Sequence, residues 1–136
     1  MCITKQHLGE GDAMADGTDL GGATLYSWSE VLTEQMNPHF TRQFVNGEQA
    51  MLAKIALKKG CVVPMHQHPN EQISLIVSGS LEFVIGGISK TVKAGEILVI
   101  PANLPHSAIA HEDMEGLDVF APPRQDWINK TDSYLR

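Results

Sequence analysis

Two histidines two residues apart, His66 and His68, open the stretch of this chain whose residue types can do chemistry. On an extended strand, residues i and i+2 point to one face, so both imidazoles can reach a single point. Gln72 follows four residues later, after Pro69 and Asn70 have bent the chain, and its amide oxygen is a candidate third ligand. Glu71 beside it competes for that role, but neighbouring strand residues face opposite sides, which favours Gln72. His106, beyond the apolar run Ile97 to Pro101, is the fourth candidate. Paired histidines also occur on half-buried strands with no ligand role, so the pair by itself does not specify a metal. If all four residues converge, they make a mononuclear site for one divalent transition metal, drawn from Zn, Ni, Fe, Mn or Cu. Three neutral imidazoles and a neutral amide leave the ion its full positive charge, which would attract an anionic substrate group.

A second group of residues lies in the tail. Asp118 and Phe120 share one strand face, while Leu117 and Val119 share the other. With the apolar pair packed outward, the carboxylate and the ring point into the protein. An inward carboxylate near a metal is either a general acid/base or a costly unpaired charge. Pro122 and Pro123 then stiffen the chain before Arg124, whose guanidinium can fork onto a carboxylate. The alternative is an ion pair between Asp118 and Arg124 at the rim.

Short strands separated by turn residues must position these groups. The pattern predicts strands over residues 40–45, 49–57, 61–65, 72–77, 81–85, 89–93, 97–100, 106–111 and 117–121. Asn46-Gly47 and Gly86-Gly87 read as two-residue hairpin turns, because both central positions of a type I′ turn need positive φ. Such a series with little helix indicates an all-β antiparallel sandwich or barrel in a single domain. Before it, residues 1–39 form an arm. It is loose over residues 1–22, with one short helix or turn from Ser29 that Ser27 or Ser29 caps and Pro38 ends. Residues 40–136 form the barrel, with Trp127, Ile128 and Leu135 as an apolar latch over it. His7, His39 and His111 read as solvent-facing. Ile97 to Ile100 is apolar on both faces, which predicts an outer cover by a second subunit and hence a homodimer.

At 136 residues, the chain can bury about two-thirds of its unfolded surface without a structural metal. A bound metal is then functional. The net charge of -6 argues against nucleic acid or an anionic membrane as the main partner. Cys2 and Cys61 stand in unrelated contexts and read as free thiols of a reducing cytoplasm. No secretory segment or membrane span is apparent, and Met14 is an alternative start.

Gly60, His66, His68, Gln72 and Gly79 resemble the first motif of the cupin family, G-x5-H-x-H-x3-E-x6-G. Gly95, Pro101, Asn103, His106 and Ala110 resemble its second, G-x5-P-x-G-x2-H-x3-N. Asn103 and Ala110 replace a turn glycine and an asparagine, and Gln72 replaces the usual glutamate ligand. The resemblance implies a small double-stranded β-helix. The D-x-F-x-P-P-R arrangement of Asp118, Phe120 and Arg124 narrows it. It is similar to that of small cupins that convert 4,5-unsaturated uronates, released by pectin and alginate lyases, from the cyclic enol to the open-chain keto form. That resemblance implies an isomerase acting on a small anionic sugar acid, with Asp118 moving the proton, Arg124 holding the carboxylate and Phe120 walling the pocket. A Gln-ligated isomerase of bacilysin-type antibiotic synthesis looks similar. The alternatives are a cupin dioxygenase and a non-catalytic sugar-binding cupin. The likeness covers residues 60–127 and none of the first forty or so.

Overall fold

Side chains alternate between buried and exposed along most of the chain, and that period of two sets the architecture. In the computed structural model, which describes residues 17–135, twelve strands occur in the order β1 Thr18–Leu20, β2 Ala23–Leu25, β3 Glu34–Asn37, β4 Phe40–Asn46, β5 Met51–Leu57, β6 Val62–His66, β7 Glu71–Ser78, β8 Ser80–Ile85, β9 Ile88–Lys93, β10 Ile97–Ile100, β11 His106–Ile109 and β12 Met114–Ala121. A one-turn helix, α1 Gln125–Ile128, and a 3-10 turn, Ser133–Leu135, follow them. A six-stranded sheet runs β10-β7-β12-β5-β4-β3, a four-stranded sheet runs β6-β11-β8-β9, and β1 and β2 form a separate hairpin. Within both sheets the pairings are antiparallel. The two inner faces enclose a core in which Phe40, Leu57 and Ile76 of one sheet meet Leu81, Phe83 and Val92 of the other. Each such side chain contributes about 1.5–3 kcal/mol by leaving water. This is the all-β barrel expected.

Turn chemistry explains how the strands connect. Gly86 and Gly87 have φ of 60° and 79°, and Ile85 pairs with Ile88, so the type I′ hairpin forms as expected. At Gly79 (φ 74°) a Cβ would lie 2.2 Å from the carbonyl oxygen of Asp113, so only glycine fits. Asn103 takes the left-handed conformation (φ 63°) at the turn before β11, which asparagine tolerates better than other non-glycine residues.

Three expectations are corrected. Asn46-Gly47 does not make a two-residue turn. Asn46 pairs with Met51, and the Gly47 N–H closes a longer loop by donating to the Ala50 carbonyl at 2.9 Å. The short helix or turn near Ser29 is a 3-10 turn that ends at Glu30 rather than at Pro38, and it has no side-chain cap, because the Ser27 and Ser29 hydroxyls bond each other. Residues 34–37 instead pair with β4 and bury Met36, so sheet pairing outweighs local helix preference and the sheet begins before residue 40. The strand from His106 ends at Ile109, so His111 lies beyond it, exposed and bonded to Glu82 at 2.7 Å.

His39 is exposed, and Cys61 is buried and free. Cys2, His7 and Met14 lie outside the described residues. Trp127 and Leu135 are buried, and Ile128 packs against Trp127's cluster. On the outer face of the six-stranded sheet, Val99, Ile73, Val119 and Leu52 stand in register across four strands, and Ile97 beside them is 62% exposed. Among the described residues no helix is long and apolar enough to cross a membrane.

Candidate metal centre and active site

Strand register brings the four ligand candidates to one pole, where the two sheets meet. His106 on β11 pairs directly with His66 on β6, and their ring centroids lie 4.3 Å apart. His68 follows β6 in the loop, and Gln72 enters from β7 of the other sheet. One ring nitrogen from each of His66, His68 and His106 lies within 4.8 Å of the others. The structure thus brings together the three histidines, with Gln72 beside them.

Hydrogen bonding orients the rings. Nδ1 of His66 faces the Pro64 carbonyl oxygen at 2.7 Å, Nδ1 of His68 that of Asn70 at 3.0 Å, and Nδ1 of His106 that of Leu104 at 2.8 Å. Each Nδ1–H therefore donates to the backbone, which leaves every Nε2 lone pair free to coordinate. Burial lowers the pKa of His66 and of His68 to about 4 and that of His106 below its usual value, with the Arg124 charge acting in the same direction. The imidazoles are thus neutral near pH 7, the state a metal needs.

Two observations test whether a cation fits. His106 Nε2 is buried without a hydrogen-bond partner. His68 Nε2 lies 3.1 Å from Gln72 Oε1, so with Nδ1 carrying the proton two acceptors face each other. A cation bound by both removes that repulsion. The donor set of three imidazole nitrogens and an amide oxygen fits a divalent transition metal.

Beyond Gln72 the inward face of β7 turns polar. Phe120 pairs with Gln72 and Asp118 with Ser74 across β12 and β7. Gln72 Nε2 donates to Ser74 Oγ at 2.9 Å, and Ser74 Oγ donates to Asp118 Oδ1 at 2.6 Å. Because the Ser74 hydroxyl gives its proton to the carboxylate, it accepts from Gln72 and fixes the amide with its oxygen toward His68. Burial raises the pKa of Asp118 to about 6, against the opposing effects of the Ser74 hydrogen bond and the Arg124 charge. A carboxyl titrating near there is suited to proton transfer at neutral pH.

Arg124 is buried and faces the same cavity as Asp118, but the two do not bond as the rim ion pair would have it. Its Nε and Nη2 fork onto Asp126 at 2.8 and 2.7 Å, and Nη2 also donates to the Tyr134 hydroxyl at 2.6 Å. Its guanidinium carbon stands 5.0 Å from the Phe120 ring centroid and 4.9 Å from that of Trp127. Two of five donors remain, both on Nη1. Phe120 is buried, edge-on to His68 at 5.6 Å, and lines the same cavity.

Sequence reasoning missed three residues here. Ser74 was legible, since it sits two residues after Gln72 and strand parity puts it on the same face. Asp126 and Tyr134 follow the last strand, and no periodicity points them at the site.

Comparison with known proteins places this architecture among relatives. The family model described as Cupin domain matches residues 53–120. The pectin degradation protein KdgF of Dickeya dadantii (strain 3937) is 26% identical over 98 residues, covering 70% of this chain and 89% of the relative. The structure of KdgF from Halomonas sp. superposes with a TM-score of 0.70 at 27% identity, covering 75% of this chain and 97% of the other. The auxin-binding protein ABP19a of Prunus persica is 31% identical over 105 residues, covering 70% of this chain but 47% of the relative, so the chain spans about half that protein's length.

Proposed function

The chain belongs to the cupin family, and on that premise we propose that it is a metal-dependent isomerase that opens and ketonises a small 4,5-unsaturated uronate or related enol acid. One observation carries the reading. Asp118, with its raised pKa, and Arg124 line the same cavity as His66, Gln72 and His106, so an acid/base, a cation and the metal ligands converge on one space. The similarity to two KdgF proteins, one of them a pectin degradation protein, supports the substrate class.

His66, His68, His106 and Gln72 would hold a divalent ion, which supplies Lewis-acid stabilisation of negative charge developing on a substrate oxygen. Arg124 receives the substrate carboxylate on its Nη1 edge and fixes the orientation of the sugar. Asp118 moves the proton. The anomeric hydroxyl loses its proton and the bond from C1 to the ring oxygen breaks, leaving an aldehyde at C1 and an enolate over the former ring oxygen, C5 and C4. A proton delivered to C4 leaves the ketone at C5, so the product is an isomer of the substrate. Proton transfer of this kind contributes roughly 100- to 10,000-fold. Phe120 excludes water from one side.

The test follows the conjugated-enol absorbance of a fresh pectin or alginate lyase digest. Wild-type protein should speed its decay, Asp118→Ala should abolish that effect with metal retained, and Arg124→Ala should chiefly raise KM. Binding of the uronate with no change in absorbance would mark a sugar-binding module instead. An Asp118→Ala variant running at the wild-type rate would make the carboxylate structural and the mechanism wrong.

A further inference from the structure

The cavity beside the metal ligands measures about 50 Å³. An apolar cavity of roughly 150 Å³ is what benzene occupies, and a six-carbon sugar acid has about twice as many heavy atoms. The C-terminal segment takes up the space. The Tyr134 ring stacks on His66, 4.5 Å between centroids and 23° between planes, and Leu135 inserts into the core while lining the same cavity. Apart from Leu135 and the Tyr134 ring, the attachments of this segment are polar. Asp132 Oδ2 accepts from Arg42 Nη1 at 2.7 Å, Lys130 Nζ donates to Glu34 Oε2 at 2.7 Å, and Asn37 Nδ2 reaches the Leu135 carbonyl at 3.4 Å. Lys130 adopts φ 58°, a left-handed conformation unfavourable for an L-residue, where the segment turns back from α1.

The state of Arg124 gives the plug a chemical meaning. A guanidinium offers a carboxylate two edges, and Asp126 occupies the one formed by Nε and Nη2. The other edge, Nη1 with the second N–H of Nη2, is half taken by the Tyr134 hydroxyl. A substrate carboxylate can take that edge with two hydrogen bonds only when Tyr134 leaves.

We propose that Tyr134 is a gating residue whose hydroxyl holds the substrate carboxylate's place on Arg124, and that residues 130–135 are a displaceable plug hinged at Lys130. The proposal rests on the reading of Arg124 as the carboxylate site. Arrival of the acid replaces one hydrogen bond to a neutral hydroxyl by a bidentate one between opposite charges, so the anion itself opens the mouth. A neutral sugar has no such exchange to offer and is excluded.

Hydrogen exchange on the metal-loaded protein, with and without D-galacturonate as a non-reacting probe, reads the plug directly. Amides of residues 130–135 should lose protection on saturation while those of β5 and β12 keep theirs. Tyr134→Phe, which keeps the ring and removes the hydroxyl, should bind D-galacturonate roughly tenfold more tightly, with D-galactose binding unchanged. Unaltered protection of residues 130–135 at saturation would overturn the plug. If D-galacturonate binds neither protein, the reading of the substrate has failed, and 1,10-phenanthroline still tests the plug. Asp132→Asn, which weakens the anchor on Arg42, should then lose its metal several-fold faster than wild type, and equal rates would overturn the proposal.

Discussion

Replacing Asp118 by asparagine should remove the activity and at the same time change how stability depends on pH. The carboxyl is buried between β7 and β12, with its pKa moved from 3.8 to about 6. Between those values the native protein holds a proton that the unfolded chain has released, so wild-type stability falls as pH rises through about 6. The amide does not titrate. At 1.36 kcal/mol per unit, the full shift corresponds to about 3 kcal/mol, of which roughly 2 kcal/mol develops between about pH 4.5 and pH 7.5. Asp118→Asn should therefore gain roughly 2 kcal/mol relative to wild type across that range. The amide's unpaired N–H group in the buried site costs about 1–3 kcal/mol, but that displaces the difference curve without changing its slope. Urea unfolding of the two metal-free proteins at a series of pH values measures the difference, and the titration of His66, His68 and His106 is common to both and cancels. Metal must be absent, since its charge would lower the pKa of Asp118 and shrink the effect. A stability difference that stays flat with pH would show that the carboxyl is not buried in its charged form, and the acid/base role would lose its physical basis.

Metal analysis of purified protein should find about one equivalent in wild type and little in a His66→Ala/His68→Ala double variant; equal contents would refute the site. Ser74→Ala removes a hydrogen bond that lowers the Asp118 pKa, so the acid limb of the kcat/KM profile should move to higher pH, and metal should bind more weakly because Gln72 loses its tether. His66 and His68 have pKa values of about 4, so the metal-free protein should lose stability as pH falls from about 6.5 toward 4, where the unfolded imidazoles take up protons first; urea midpoints that do not move would contradict this. We also propose that a second copy of this chain covers the row of Val99, Ile73 and Val119. Those apolar side chains stand exposed in register across neighbouring strands, so light scattering should give twice the chain mass and Val99→Lys should reduce it to one.

Much of this protein was determined by sequence alone, because period-two alternation and turn residues act locally. Gly86 and Gly87 specify their turn by the φ that only glycine adopts freely, and the short spacing of His66, His68 and Gln72 keeps them close along the chain, although His68 lies in the loop after β6 and Gln72 on β7 of the other sheet. The same parity placed Asp118 and Phe120 inward. The Asn46-Gly47 two-residue turn does not form, and the turn near Ser29 stops at Glu30 because residues 34–37 pair with β4, so pairing between strands outweighs the preference of a few residues. Tertiary structure alone decided the environment of the charges. Arg124 binds Asp126 and Tyr134 because the last residues fold back over the mouth of the barrel, anchored from the other side by Asp132 on Arg42. A pKa is set by the depth of burial and the charges that end up nearby, and neither is a function of position along the chain. The residues that can do chemistry are therefore legible in the sequence, whereas the raised pKa of Asp118 and the partly occupied fork of Arg124 exist only once two sheets and a tail enclose them.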